Sequence, residues 1–283
     1  MRLAFITSLT LVAFAANSVL CRLALGGGFI DAASFTLVRL GSGALALGAL
    51  AWLSARKQPA PPTGSWLSGL ALFGYAAAFS FAYLTLDTGT GALILFGSVQ
   101  LTMIGWGLRS GERLSAPQWM GVLLAFGGLV YLLLPGLTAP DPTGASLMAV
   151  SGAAWGVYSI RGRGAAAPLR MTSQNFVKAV PFAACVSVVA VSSMHLDPRG
   201  LGLALTSGVV TSGLGYALWY RALRGLTTTK AAVVQLTVPI IAAGGGVFFL
   251  GEPVGMRLVV ASGGILGGVA VVVLGRGAEP SEP

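Results

Sequence analysis

The chain has 283 residues, of which 55% are hydrophobic and only 9% are charged, and its formal net charge is +9 at pH 7. A soluble domain carries about 25% charged residues, so this composition indicates a protein that lies in lipid. The positive charge does not indicate nucleic-acid binding, because the Lys and Arg residues collect between apolar segments, as in membrane proteins.

Apolar segments with few or no charged residues follow one another along the chain, and most are close to the roughly 20 residues that a helix needs to cross a bilayer. In chain order they predict helices over residues 3–25, 32–54, 65–86, 89–108, 116–134, 143–162, 172–193, 200–222, 229–249 and 255–275. The predicted fold class is therefore an all-α integral membrane protein with ten transmembrane helices.

The positive charges predict the orientation of these helices. Twelve Lys and Arg residues fall near the side of the two termini, whereas Arg22, Arg199 and Arg257 fall near the opposite side. Since positive charges concentrate in cytoplasmic loops, we expect cytoplasmic N- and C-termini in a bacterial inner membrane. The first segment also has features of a signal peptide, but it has a counterpart later in the chain, which favours a retained helix.

The chain repeats itself at an offset of about 140 residues. The matching pairs are Phe14–Arg22 with Trp155–Arg163, Thr36–Arg39 with Asn175–Lys178, Gly111–Leu114 with Gly251–Val254, and Gly127–Gly128 with Gly267–Gly268. The turn-rich stretch from Pro135 to Pro142 separates the copies. We predict a first five-helix repeat over residues 1–137, a second over 138–275 and a cytoplasmic tail over 276–283. Five helices per copy give the two repeats opposite orientations, which is typical of transporters.

Two five-helix halves, each with a Gly-Glu pair after its fourth helix and a Gly-rich fifth helix, resemble the EamA family of the drug/metabolite transporter superfamily. Phe35 and Arg39, spaced by three residues, and the run Leu250-Gly251-Glu252-Pro253 match its pattern. Within that superfamily the chain most resembles the bacterial aromatic amino-acid exporters. The resemblance implies export of amino acids through a central cavity that both halves share. Val99 departs from the pattern, because the second half has Pro239 at the matching position.

Catalytic and metal-binding patterns are missing from the sequence. It contains one His and neither a His-Glu-x-x-His, a Cys-x-x-Cys nor a Gly-x-Ser-x-Gly motif, and its eight acidic residues fall at predicted helix ends, in loops or in the tail. We therefore predict a protein that is not an enzyme, with no catalytic residues, metal or cofactor. Proton-coupled transporters usually keep an ionisable group in the membrane, so the same count favours a facilitator.

Candidate substrate-binding residues are the polar and aromatic side chains inside the predicted helices: Asn17, Tyr75, Phe79, Tyr83, Phe96, Gln100, Trp155, Tyr158, Trp219 and Gln235. The alternatives are interhelical hydrogen bonds for the amides and a lipid-facing or interfacial position for the rings, above all for Trp219. Pro181 and Pro239 are predicted mid-helix kinks that serve gating. Arg39 and Lys178 start helices, so snorkelling to the interface is the simpler interpretation.

These observations predict an exporter of aromatic and other neutral amino acids that works by alternating access. We expect its site between helices one, three, four, six, eight and nine, with helices five and ten peripheral. One alternative is a transporter of anionic metabolites such as sugar phosphates, which would need cations deep in the cavity. Another is a non-transporting scaffold or sensor. The expected partners are a small-molecule substrate and the lipid bilayer, without nucleic acid, for a monomer.

Overall fold

The computed structural model describes residues 2–55, 64–111, 113–136, 139–163, 165–223, 225 and 234–274. These residues form the helices α1 (Arg2–Gly26), α2 (Ala32–Ala55), α3 (Trp66–Ala82), α4 (Thr88–Arg109), α5 (Ala116–Leu133), α6 (Pro142–Arg161), α7 (Pro168–Val189), α8 (Pro198–Thr206), α9 (Gly215–Leu223), α10 (Val238–Gly245) and α11 (Met256–Leu274). They fold into ten helical spans, because α8 and α9 are parts of a single span.

Two spans contain π-helical segments, which the sequence pattern did not predict. The eighth span runs from α8 through the π-helical residues Ser207–Leu214 into α9. The ninth span consists of α10 followed by the π-helical residues Gly246–Leu250. A π-helical turn widens the backbone and often occurs at functional sites.

Length and composition confirm the membrane fold. Among the described residues, six helical spans are long and apolar enough to cross a bilayer, and α3 and the ninth span are shorter apolar helices. Large apolar side chains point away from the bundle, including Met120, Leu123 and Phe126 on α5 and Phe248 on the ninth span. This outward apolar surface suits lipid, and the chain is an integral membrane protein.

The helix bounds differ from the predicted ones mainly in the second half. Helix seven was expected over 172–193, but α7 starts at Pro168, whose fixed φ and missing N–H suit a first helical turn. Pro181 lies inside α7 as expected. Pro239 lies in the first turn of α10, directly after a turn at Leu236–Thr237 that interrupts the helix, and its role in gating stays a prediction. The expected repeat boundary at 137/138 and the tail 276–283 lie outside the described residues.

The packing of the spans follows the two predicted repeats. α2 packs on its repeat counterpart α7, and α5 packs on its counterpart α11. α3 packs on α6 and α7, and its counterpart, the eighth span, packs in the same way on α1 and α2. These pairs correspond between the two halves, as inverted five-helix repeats would give.

α5 and α11 form a separate pair at the side of the bundle. A Cβ atom on Gly268 of α11 would lie 2.4 Å from the carbonyl oxygen of Gly121 on α5, and one on Gly264 would lie 3.1 Å from the Cα of Gly128. Such close backbone approach needs small residues. Gly264 and Gly268 thus pack within the chain, whereas Gly263 and Gly267 have open space around them, and the pair lies at the side of the bundle.

The α1–α2 turn and the α7–α8 connection meet at one end of the bundle, which we call the distal end and expect to be extracellular. Ile30 and Leu196 form an antiparallel β-bridge there. The carboxylate of Asp31 accepts hydrogen bonds from the Ser34 N–H at 2.9 Å and the His195 N–H at 3.0 Å. Burial alone would raise the pKa of Asp31, but these hydrogen bonds outweigh it and hold the pKa below its ordinary value.

Candidate functional site

A buried arginine lies near the centre of the candidate site. Arg39 on α2 is 2% exposed. Its NH2 group donates a 2.9 Å hydrogen bond to the Tyr75 hydroxyl on α3, and its Nε donates a 3.3 Å bond to Ser212 Oγ in the π-helical segment. The guanidinium lies 5.2 Å from the centroid of the Tyr75 ring and 5.1 Å from that of Phe79. The expectation that Arg39 snorkels to the interface was therefore wrong.

Beside Arg39, aromatic rings from both halves form one contiguous group, which we call the aromatic cluster. The Trp155 ring centroid lies 4.8 Å from that of Tyr75 and 5.4 Å from that of Tyr216. The full cluster comprises Phe14, Tyr75, Phe79, Tyr83, Trp155, Tyr158, Phe176, Tyr216 and Trp219. Six of these are predicted site residues, and they come from three different spans.

Phe14, Phe176 and Tyr216 belong to the cluster but were not among the predicted site residues. The ring centroid of Phe14 on α1 lies 5.8 Å from that of Tyr216 and 5.8 Å from that of Trp219. The ring centroid of Phe176 on α7 lies 6.0 Å from that of Tyr216. Phe14 was visible in the sequence only as the aromatic start of the repeat, paired with Trp155. The repeat could have identified Phe14, because a ring that lines the site in one half predicts that the matching ring of the other half lines it too.

Trp219 lies inside the protein instead of in an interfacial belt. It is 9% exposed and packs edge-on against Phe14. Ile6 and Val234 complete its surroundings. The alternative interpretation of Trp219 as a lipid-facing residue is therefore wrong, and its ring continues the aromatic cluster along α9.

Asn17 connects α1 to the eighth span. Its Oδ1 accepts a 2.7 Å hydrogen bond from Ser207 Oγ and a 3.0 Å bond from Thr211 Oγ1, both in the π-helical segment. Gly208 in the same segment is so close to α2 that a Cβ atom would lie 2.4 Å from the Arg39 carbonyl oxygen. The π-helical segment thus holds Asn17 on one side and Arg39 on the other.

The remaining candidates lie outside the aromatic cluster. Phe96 and Gln100 are buried on α4, each 9% exposed, without a ring contact to the cluster. Gln235 is half-buried, just before the turn that precedes α10. The structure therefore gathers Tyr75, Phe79, Tyr83, Trp155, Tyr158 and Trp219, and leaves these three residues apart.

Lys178, the repeat counterpart of Arg39, lies in a different environment. It is half-buried on α7, and its Nζ donates a hydrogen bond to the Gly64 carbonyl oxygen, just before α3. Arg161 lies in the same region, where its Nε donates to Ser68 Oγ at 3.1 Å. For Lys178 the prediction of a side chain that reaches toward a helix end agrees with the structure.

At the distal end, polar contacts join the two halves; we call them the Glu252 network. Glu252 follows the ninth span, and its carboxylate accepts a 2.8 Å hydrogen bond from the Thr88 N–H and a 3.1 Å bond from the Thr88 hydroxyl. Arg22 Nε lies 3.4 Å from the same carboxylate, and its NH1 donates to the carbonyl oxygens of Tyr83 and Leu84. The negative charge therefore lies at the N-terminus of α4, which favours it.

Comparisons with known proteins agree with this architecture. A model of the EamA-like transporter family matches residues 142–274. An uncharacterized protein of Pseudomonas aeruginosa is 51% identical over 282 residues, which cover 98% of each chain. The threonine/homoserine exporter RhtA of Salmonella typhimurium is 34% identical over 137 residues, 46% of each chain.

A solved crystal structure has the same fold. It is 21% identical in sequence and superposes with a TM-score of 0.63 over 94% of this chain and 97% of that one. This likeness shows the fold. The family match and the full-length relative confirm the resemblance to the EamA family, and the chain belongs to the EamA-like transporter family.

Proposed function

We propose that this protein exports amino acids, aromatic and other neutral ones, from the bacterial cytoplasm across the inner membrane. The observation that carries the proposal is the aromatic cluster, which joins rings of both halves around a buried cation. Amino acids are amphipathic, and rings with a few polar groups suit their side chains. The similarity to the RhtA exporter over about half of the chain supports the same substrate class.

The proposed mechanism is alternating access. In transporters with inverted repeats, one repeat rocks against the other around a site near the midplane. The contacts that would change are those between halves: Arg39 with Ser212, Asn17 with Ser207, and Glu252 with Thr88. The Glu252 network holds the two halves in contact at the distal end. Its opening would therefore release substrate on the side that we propose to be extracellular.

We propose that the protein is a facilitator that works as a monomer. In the described part of the chain, the carboxylates of Asp31, Asp87, Asp141, Asp197 and Glu252 all lie at helix ends or in connections. None belongs to the aromatic cluster, so the site offers no acidic side chain there as a proton carrier. Amino acids would then move down their own gradient.

The test is exchange transport in liposomes that contain the purified protein. Vesicles loaded with one unlabelled amino acid should take up the same labelled amino acid faster than protein-free vesicles, and a panel of neutral amino acids should compete. Uptake should not change when the pH gradient across the vesicle is collapsed. Vesicles as tight as protein-free controls toward the whole panel would reject amino-acid transport, and competition by sugar phosphates alone would favour the anionic alternative.

A further inference from the structure

Arg39 carries a positive charge where the apolar interior makes charge costly. Ionisable residues inside membrane spans usually pair with an opposite charge or line a functional site. Among the described residues, the ion pairs within 4 Å are those of Arg22 with Asp87 and Glu252. The described residues therefore give Arg39 no carboxylate to balance its charge.

The hydrogen bonds of Arg39 are also incomplete. A guanidinium has five N–H donors in a fixed planar fork. Neutral oxygens of Tyr75 and Ser212 accept from NH2 and Nε, while NH1 is buried and has no hydrogen-bond partner among the described residues. A buried donor without a partner is unfavourable, and a fork with a free edge matches the two oxygens of a carboxylate.

We propose that Arg39 binds the carboxylate of the transported substrate. This inference rests on the proposed amino-acid transport and assigns the residue that recognises the backbone of the amino acid. The substrate would supply the missing negative charge and accept the NH1 hydrogen bonds. Its ammonium group would then lie against the faces of Trp155 and Tyr216, since aromatic faces attract cations.

The surroundings favour a carboxylate over a phosphate ester. Lys178, the repeat counterpart of Arg39, already donates to the Gly64 carbonyl oxygen and belongs to another region of the bundle. A single guanidinium balances the one charge of a carboxylate, whereas a phosphate monoester brings between one and two charges at neutral pH. A second cation beside Arg39 would be needed for that ligand.

Access to Arg39 follows from the contacts between halves. Its Nε bond to Ser212 joins α2 of the first half to the eighth span of the second half. Rocking of the halves breaks this bond and uncovers the edge of the guanidinium. The substrate carboxylate then accepts from NH1, and its release allows the contact between Nε and Ser212 to form again.

The experiment compares Arg39→Gln and Arg39→Lys with the wild-type chain, and uses Lys178→Gln as the matched control. In liposomes, an amino acid and its carboxamide compete with labelled amino-acid uptake. We expect the wild type to prefer the carboxylate by about tenfold or more, as a charge-assisted hydrogen bond allows. Arg39→Gln should reduce this preference to less than about twofold, Arg39→Lys should retain part of it, and Lys178→Gln should leave it unchanged.

A purely structural Arg39 would give a different result. Arg39→Gln would then lower thermal stability, and the residual transport would keep the carboxylate preference, which would overturn the inference. Where the variants do not fold, arginine modification by phenylglyoxal in the wild type decides. The amino acid, but not its carboxamide, should slow the modification of Arg39, which mass spectrometry measures. If Arg39 is modified at the same rate with either compound, the inference is overturned.

Failure of the proposed function gives its own signature. If the wild type transports no amino acid, thermal shifts with carboxylates, carboxamides and phosphate esters still report on Arg39, since a ligand of the folded state raises the midpoint. If a carboxylate raises the unfolding midpoint of the wild type but not that of Arg39→Gln, the result would support an anion site at Arg39 and reject amino-acid transport. Shifts by phosphate esters alone, or shifts that Arg39→Gln does not change, would reject the carboxylate assignment.

Discussion

Replacing Glu252 by Gln tests whether the Glu252 network holds the two halves together. The amide keeps an oxygen that can accept from the Thr88 N–H, but it loses the charge that faces Arg22 and the N-terminus of α4. Hydrogen bonds to charged groups contribute about 1.5–3 kcal/mol against about 0.5–1.5 kcal/mol for neutral ones. Two such bonds and a partly buried ion pair give a loss of about 2–4 kcal/mol.

That loss should be visible as a lower unfolding temperature of the purified protein. At about 2–4 °C per kcal/mol, this loss lowers the midpoint by about 4–16 °C when tryptophan fluorescence follows unfolding in detergent. Asp197→Asn is the matched control, because the carboxylate of Asp197 accepts from the N–H of Arg199 and only caps its own helix. Asparagine caps a helix as well as aspartate does, so this control should change little.

A double-mutant cycle separates the ion pair from the other contacts of Glu252. Arg22→Gln and Glu252→Gln should not add, because each removes the same pair. Strict additivity, or a Glu252→Gln midpoint equal to that of the wild type, would show that the Glu252 network does not stabilise this arrangement of the halves.

Three further measurements test other parts of the structure. Gly268→Ala should destabilise the protein by about 1–3 kcal/mol because its Cβ would meet the α5 backbone, whereas Gly267→Ala, with open space around it, should be neutral or stabilising in the same melts. The low pKa of Asp31 stabilises the fold above about pH 4 and this contribution is lost as pH falls through the native pKa, so Asp31→Asn should flatten the decline of the midpoint below pH 4. Trp155→Ala should reduce amino-acid uptake or change its selectivity, whereas Trp119→Ala, on the exposed face of α5, should not.

The number, order and type of the spans could be predicted from the sequence, because lipid requires apolar helices and charge marks their ends. Which face of each helix is buried could not be predicted. Trp119 and Trp155 both lie in apolar helices, yet one faces outward and the other contacts three rings of the aromatic cluster. Since both faces of a membrane helix are apolar, periodicity does not indicate which one is buried.

The π-helical segments and the burial of Arg39 depend on packing and were missed for that reason. Gly208 allows α2 to approach the eighth span so closely that Arg39 reaches Ser212 instead of the interface. From the sequence, Arg39 is only a cation eight positions into α2, within reach of a helix end. The decisive information lies in residues that are about 170 positions away, which local patterns do not include.

The difference between Arg39 and Lys178 fits a symmetric scaffold that serves an asymmetric ligand. Inverted repeats place the two residues at equivalent positions, and a symmetric site would present two buried cations. An amino acid has one carboxylate and one ammonium group, so a second buried cation would oppose the ammonium. In this chain Lys178 is turned to the Gly64 carbonyl, while Arg39 stays beside the aromatic rings. The divergence of the two halves at this pair of positions is therefore what the proposed amino-acid substrate would require of a duplicated fold.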